Sequence, residues 1–175
     1  MSLSKSEKVP LMFALRCTKK LLDCIPGALS EPGPSDTVLG DWYANLHESN
    51  PPVILLMSER TLLPIVIEAN PIDGIVVNFI EQLAFVLHHL GVDRAHIMRE
   101  LHLMTQCEIG KTVNRRATRL MSDSMYHLGH ALYDRKLKSL AQVSSYLDTF
   151  PLKALEFRKA GEVTRDLFNL ASKPT

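Results

Sequence analysis

Apolar positions along the chain change their period twice. From Val38 to Glu48 they alternate, with Trp42, Ala44 and Leu46 on one side and Tyr43, Asn45 and His47 on the other, which is the pattern of a half-buried strand. Two apolar runs rich in β-branched residues follow, Val53 to Met57 and Leu62 to Ile67, joined by the polar turn Ser58-Glu59-Arg60-Thr61, and they predict a hairpin. Pro64 has no N–H to give to a ladder, so the second of these strands belongs at an edge or carries a bulge. Leu11 to Arg16 suits a further strand, with Thr18 as the cap of a short helix through Leu21 and Leu22. The stretch between, PGALSEPGPSDT, gathers proline and glycine and reads as a loop.

After Asn70 the period becomes about 3.6. Asn70 is expected as a cap with Pro71 at the first helical position, and Val76, Phe79, Ile80, Leu83, Leu87 and Leu90 form one apolar stripe ending at Gly91. Asp93 starts another helix, with Ile97, Leu101 and Met104 inward, and its periodicity is expected to run toward Cys107. Met121, Met125, Leu128 and Leu132 mark a third, and Leu137, Leu140, Val143 and Leu147 a fourth. Leu155 to Leu170 gives a last one, interrupted by Gly161. The assembled expectation is an α+β domain: a small antiparallel sheet of three or four strands with about five helices packed on it, some of them covering one face.

With 175 residues, 46% of them apolar, the chain suffices for one core without a staple. Residues 1–10 are polar and are set aside as disordered or vector-derived; 11–175 are expected to form a single domain, with 134–175 as a helical C-terminal extension. Twenty basic against nineteen acidic residues leave a net charge of +1, so any affinity for nucleic acid or anionic lipid must be local. Cys17, Cys24 and Cys107 are odd in number and lack a Cys-x-x-Cys pair, which fits free thiols in a reducing cytoplasm. No stretch approaches the roughly 18 apolar residues of a membrane span, and the N-terminus lacks a signal-peptide core, so no membrane partner is expected.

The chemistry concentrates in TQCEIGKTVNRR. Gly110-Lys111-Thr112 ends like a phosphate-gripping loop, but that loop needs a glycine five residues before Gly110, where Thr105 stands. It must also follow a buried strand, whereas Ala95 to Met104 have helical periodicity, so a nucleoside-triphosphatase is excluded on both grounds. There remains a polar, cationic segment in which Gly110 ends one helix, Thr112 or Asn114 caps the next, and free amides lie near Lys111, Arg115, Arg116 and Arg119, an arrangement suited to an anion. The opposing reading is a capped helix start with solvated arginines. Glu59 and Arg60 stand at the hairpin tip, where they either join Lys111 and Arg115 in a salt-bridge network or line a binding cleft with them; Trp42 is expected in the core. The seven histidines, His127 and His130 included, form no metal-ligand spacing, and neither a Gly-x-Ser-x-Gly elbow nor a base beside Cys107 supports nucleophilic catalysis. No cofactor is expected.

The ordered strings LRCTKKLL, LGDWYANL, SERTLLPIVI, IGKTVNRR and MSDSMYHL resemble an uncharacterised bacterial domain family of unknown function over Leu11 to Tyr133. The resemblance rests on Cys17, Thr18, Lys19, Trp42, Tyr43, Asn45, Glu59, Arg60, Thr61, Gly110, Lys111, Thr112, Asn114 and Arg115; the family pattern often has Asn in place of Ser58 and Ser in place of Arg116. It implies no activity, cofactor or partner. The resulting expectation is a cytoplasmic binding or interaction module that recognises a phosphate-bearing partner, an anionic ligand or nucleic acid, through Asn45, Glu59, Arg60, Lys111, Thr112, Asn114 and Arg115. The alternatives are a hydrolase acting on a phosphate ester, with Glu59 as base and Lys111 and Arg115 stabilising charge, and a structural scaffold that forms a homo-oligomer.

Overall fold

A computed structural model of the chain describes residues 10–27, 29–134 and 136–171. The elements are β1 (Met12–Cys17), α1 (Lys19–Leu22), β2 (Trp42–His47), β3 (Val53–Ser58), β4 (Pro64–Glu68), α2 (Ile75–His89), α3 (Arg94–Leu103), β5 (Gln106–Lys111), α4 (Arg115–Tyr133), α5 (Leu140–Leu147) and α6 (Ala160–Leu170). Short 3-10 turns at Ile72–Gly74 and Lys153–Leu155 precede α2 and α6, so α2 begins at Ile75 and not at Pro71. Among the described residues no helix is long and apolar enough to cross a membrane.

The class is α+β as expected, but the sheet differs from the expectation of three or four antiparallel strands. It has five strands in the order β4-β3-β2-β1-β5, with β2, β3 and β4 antiparallel and β1 parallel to both β2 and β5. The additional strand is Gln106–Lys111, expected to continue a helix. Here α3 ends at Leu103, and the next residues pair in parallel with β1 from Met12↔Gln106 to Cys17↔Lys111, a pairing that local periodicity does not reveal. The hairpin forms as expected, with Pro64 opening the edge strand β4.

Helices cover both faces of the sheet, not one. On the first face Phe13, Leu15, Trp42, Ile54 and Ile65 pack with Phe79, Leu83 and Leu87 of α2 and Ile97 of α3. Trp42 is fully buried there, its ring edge-on to Phe79 at 4.7 Å, which gives it the core role expected of it. On the second face Tyr43, Leu55 and Val66 pack with Met121 and Leu128 of α4 and Val143 and Leu147 of α5. Ser144 of α5 also reaches the outer edge of β4, where its hydroxyl accepts the Val66 N–H at 2.9 Å. α6 is tied in by the buried Thr164, whose hydroxyl donates to that of Thr61 at 2.8 Å.

The proline-rich segment after α1 lies over the β1–β5 half of the second face. Ser30 donates from both its N–H and its hydroxyl to the Ile109 carbonyl of β5, the Ser35 hydroxyl accepts the Ala14 N–H, and Asp36 exchanges two hydrogen bonds with the backbone of Met12. Pro32 sits directly on Gly110: a Cβ there would meet its Cδ at 2.5 Å and the Ser30 carbonyl oxygen at 3.0 Å. Glycine at 110 thus lets the strap approach the sheet. Gly110→Ala is expected to lower stability by about 1–3 kcal/mol, as overpacking does, and Pro32→Gly in the same chain is expected to recover part of the loss; thermal melts of both variants check this.

Burial pushes the Cys17 thiol up to about 12 from an ordinary value of 9.0. The folded chain therefore keeps a proton that the unfolded chain gives up. This contribution is fully present below pH 9 and disappears as pH rises toward 12, by roughly 2 kcal/mol at pH 10.5. Urea unfolding at pH 8 and pH 10.5 is expected to show that decline, and to show less of it in Cys17→Ala.

Candidate functional site

β1 and β5 are neighbouring parallel strands whose chains leave their carboxyl ends in opposite directions. After Cys17 the chain enters α1, whose Leu21 joins the first-face core, whereas after Lys111 it enters α4 on the second face. Such a divergence marks the carboxyl end of the sheet, the place where open α/β sheets bind ligands.

Below this end lies a largely buried polar network. Arg16, in register with Tyr43 on one side and Gly110 on the other, donates from Nε to Asp41 Oδ2 at 2.7 Å and from Nη2 to the Pro32 carbonyl at 3.1 Å. Asp41 Oδ1 accepts the Ser35 hydroxyl at 2.7 Å and the Ser35 N–H at 3.2 Å. Burial holds the Tyr43 phenol above its ordinary value, helped by the Glu59 and Asp41 carboxylates and opposed by Arg16 and a hydrogen bond with the Asn114 side chain. One step toward the strand ends, the Thr18 hydroxyl donates to Asn45 Oδ1 at 2.7 Å, and the Asn45 amide nitrogen has no acceptor among the described residues.

At the end itself is the turn from β5 into α4. The Thr112 N–H completes the β1–β5 ladder on the Cys17 carbonyl at 3.2 Å. Of the two expected caps, Thr112 and Asn114, it is Asn114 that serves: its Oδ1 accepts the N–H groups of Arg116 and Ala117 at 2.9 and 3.2 Å. The N–H groups of Val113, Asn114 and Arg115 meet no acceptor among the described residues. Beside them is an open depression of about 490 Å³ lined by Thr112 to Arg115, Thr118, Arg119 and Ser122. No carboxylate among the described residues forms an ion pair with Lys111, Arg115, Arg116 or Arg119.

The Gly-Lys-Thr sequence does follow a strand and precede a helix, so one of the two sequence grounds for excluding a triphosphate loop is corrected. The other stands. Position 105 is threonine, Gly110 is a ladder residue covered by Pro32, and the Thr112 amide is spent on Cys17, leaving no glycine loop to curl around a phosphate chain.

The seven expected site residues are divided. Asn45, Lys111, Thr112, Asn114 and Arg115 gather at the carboxyl ends of β1, β2 and β5. Glu59 is lower on the same face, its Oε2 accepting the Asp41 N–H at 3.4 Å and its own N–H donating to the Asp41 carbonyl at 2.8 Å. Three strand spacings and three residues along the strands put Glu59 roughly 14 Å across and 10 Å down from Lys111. That separation overturns joint chemistry by Glu59 and Lys111. Arg60 donates to the Val38 carbonyl at 3.0 Å, near the fully buried Glu100 of α3, whose carboxylate accepts the Val38 and Leu39 N–H groups at 2.8 and 3.0 Å. Burial pushes Glu100 up, and those two bonds and the Arg60 charge pull it back. The expected network among Glu59, Arg60, Lys111 and Arg115 is absent from the described residues: Arg60 is engaged at the Val38 carbonyl, Glu59 at Asp41, and no carboxylate pairs with Lys111 or Arg115.

Sequence reasoning missed Arg16, Ser35 and Glu100. A lone charge inside the apolar run MFALRC was the available signal for Arg16; Ser35 and Glu100 act through contacts too distant in sequence to leave one.

A family model described as Domain of unknown function (DUF6933) matches residues 14–163, a span that runs past Tyr133 through α5. No curated protein and no solved structure matches the chain.

Asn114 is the hinge of this site, since its oxygen caps α4 while its side chain also holds Tyr43. Asn114→Ala is expected to cost about 1–2 kcal/mol, within the range of lost helix caps. Asn114→Asp, which keeps an accepting oxygen at the cap, is expected to retain most of that stability in a denaturant melt. Equal losses in the two variants would assign the effect to something other than capping.

Proposed function

Since the chain belongs to that family of unknown function and takes no activity from it, we propose from the site alone that it is a binding module for a phosphate-bearing, anionic ligand seated at the β5–α4 turn. The observation that carries this reading is the run of three N–H groups, Val113 to Arg115, that meet no acceptor among the described residues, beside cations that have no carboxylate partner among them. Backbone amides and a helix start supply fixed positive potential, and guanidinium groups add charge-assisted, bidentate bonds to phosphate oxygens. Asn45, whose amide nitrogen has no acceptor among the described residues, and Thr112 supply neutral polar groups at the same end of the sheet.

The reading favours binding over hydrolysis. Glu59, the base named for a phosphate-ester hydrolase, is engaged at Asp41 and stands well away from the turn. Arg60 serves the α3 contact and is left out of the ligand set.

Titration with inorganic pyrophosphate, followed by amide chemical shifts, is expected to move Val113, Asn114 and Arg115 first. Arg115→Ala and Arg119→Ala are each expected to weaken binding about 10-fold, the scale of one charge-assisted hydrogen bond, and added salt is expected to weaken it further. Shift changes spread over the whole surface, or an affinity unchanged in both variants, would remove the site.

A further inference from the structure

The exposed side of α4 continues away from the anion site in a way that this function does not use. Arg115, Arg119, Ser122, Tyr126, His130 and Tyr133 follow one another at steps of four, three, four, four and three, and all are exposed, so they form one straight ridge along the helix. Its first turn is cationic and its later turns are aromatic. Tyr126 is 67% exposed and Tyr133 88% exposed, although large aromatic rings are ordinarily among the most buried side chains. The Tyr126 ring is held upright by His130, edge-on at 4.7 Å, and by His127, whose own ring stacks on Phe150 at 4.1 Å. Asp123 is the one acidic residue in α4, against Arg115, Arg116 and Arg119.

We infer that this ridge binds single-stranded nucleic acid, with backbone phosphates on the cationic first turn and bases stacked on Tyr126 and Tyr133. The inference rests on the anion site and extends it to a partner. Charge complementarity selects a polyanion, and the spacing selects one that carries flat rings: Arg119, Tyr126 and Tyr133 are separated by about 10 Å each along the helix axis. The 19-residue helix offers about 27 Å, enough for the few nucleotides that the smallest single-strand sites accommodate. A duplex keeps its bases stacked inside and would leave both tyrosines without a partner. A phosphopeptide would engage the arginines alone. Because aromatic stacking accepts every base and the chain as a whole is nearly neutral, the binding is weakly sequence-selective and driven by this one face.

The test is fluorescence anisotropy of the full chain with a labelled ten-nucleotide oligothymidylate and with its abasic counterpart, at 50 and 200 mM salt, with pyrophosphate titrated separately. The normal strand is expected to bind at least 10-fold more tightly than the abasic one. Tyr126→Ala and Tyr133→Ala are each expected to weaken it about 5-fold or more while leaving abasic and pyrophosphate binding unchanged, and Tyr126→Phe is expected to retain it. Four contacted phosphates give a log–log salt slope near −3, about a 50-fold loss across that salt range. Equal affinity for normal and abasic strands, or indifference to both tyrosine substitutions, overturns the nucleic-acid inference and leaves the anion site standing. A phosphoserine peptide that matches the oligothymidylate in affinity overturns it in the same way. Failure of pyrophosphate and both strands alike overturns the inference together with the anion site. Both tyrosines are exposed, so loss of fold does not confound the readout.

Discussion

Arg16 places a full charge near the end of an apolar strand, and the half of the sheet beneath the β5–α4 turn is organised around neutralising it. Asp41 supplies the counter-charge from the strand next door, the Pro32 carbonyl accepts a second guanidinium bond, and Ser35 saturates the remaining carboxylate oxygen. A buried pair with these extra partners is tolerable, whereas removing either ion strands the other and typically costs 3–5 kcal/mol or so. Both residues that satisfy the rest of the pair, Pro32 and Ser35, come from the proline-rich strap. The pair therefore fixes the strap on the sheet, and the strap in turn requires that β5 carry no side chain where Pro32 lies.

The same network sets the direction of α4. Tyr43, one strand from Arg16 and held in its field, is hydrogen-bonded by Asn114, and Asn114 caps the helix. The start of α4 is consequently pinned over β2, with its open amides at the carboxyl ends of the parallel strands. Packing on one side of a single asparagine and solvent on the other are what turn an ordinary helix start into a concave, electropositive turn.

The parts of this arrangement that could be read from the chain are the ones encoded within a few residues. The β3–β4 hairpin, the stripe of α2 and the caps at Asp93 and Asn114 each announce themselves by local period or by a short polar side chain ahead of an apolar run. β5 could not be read this way. Its six residues offer two apolar positions on one side, Cys107 and Ile109, and its identity as a strand depends on β1, about ninety residues earlier. With β5 hidden, the parallel pairing and the second covered face were hidden too. The cationic turn was legible as composition, but the separation of Arg60 from it was not, because Arg60 is drawn to Val38 and Glu100 by a contact between the hairpin tip and α3. Whether residues share a site depends on strand order, and strand order is set by contacts that local pattern does not contain.

The outer side of β4 bears on how the chain behaves among its own copies. An uncovered strand edge is a template for intermolecular pairing. Here the first position is a proline without a donor, the Val66 donor is occupied by the Ser144 hydroxyl of α5, and the strand closes on the charged Glu68. α5 thus acts as a stopper on the sheet as well as a layer of its core. A chain shortened before Leu140 would lose that stopper together with the α5 side chains of the second-face core, and its bared β4 edge would be a template for self-association.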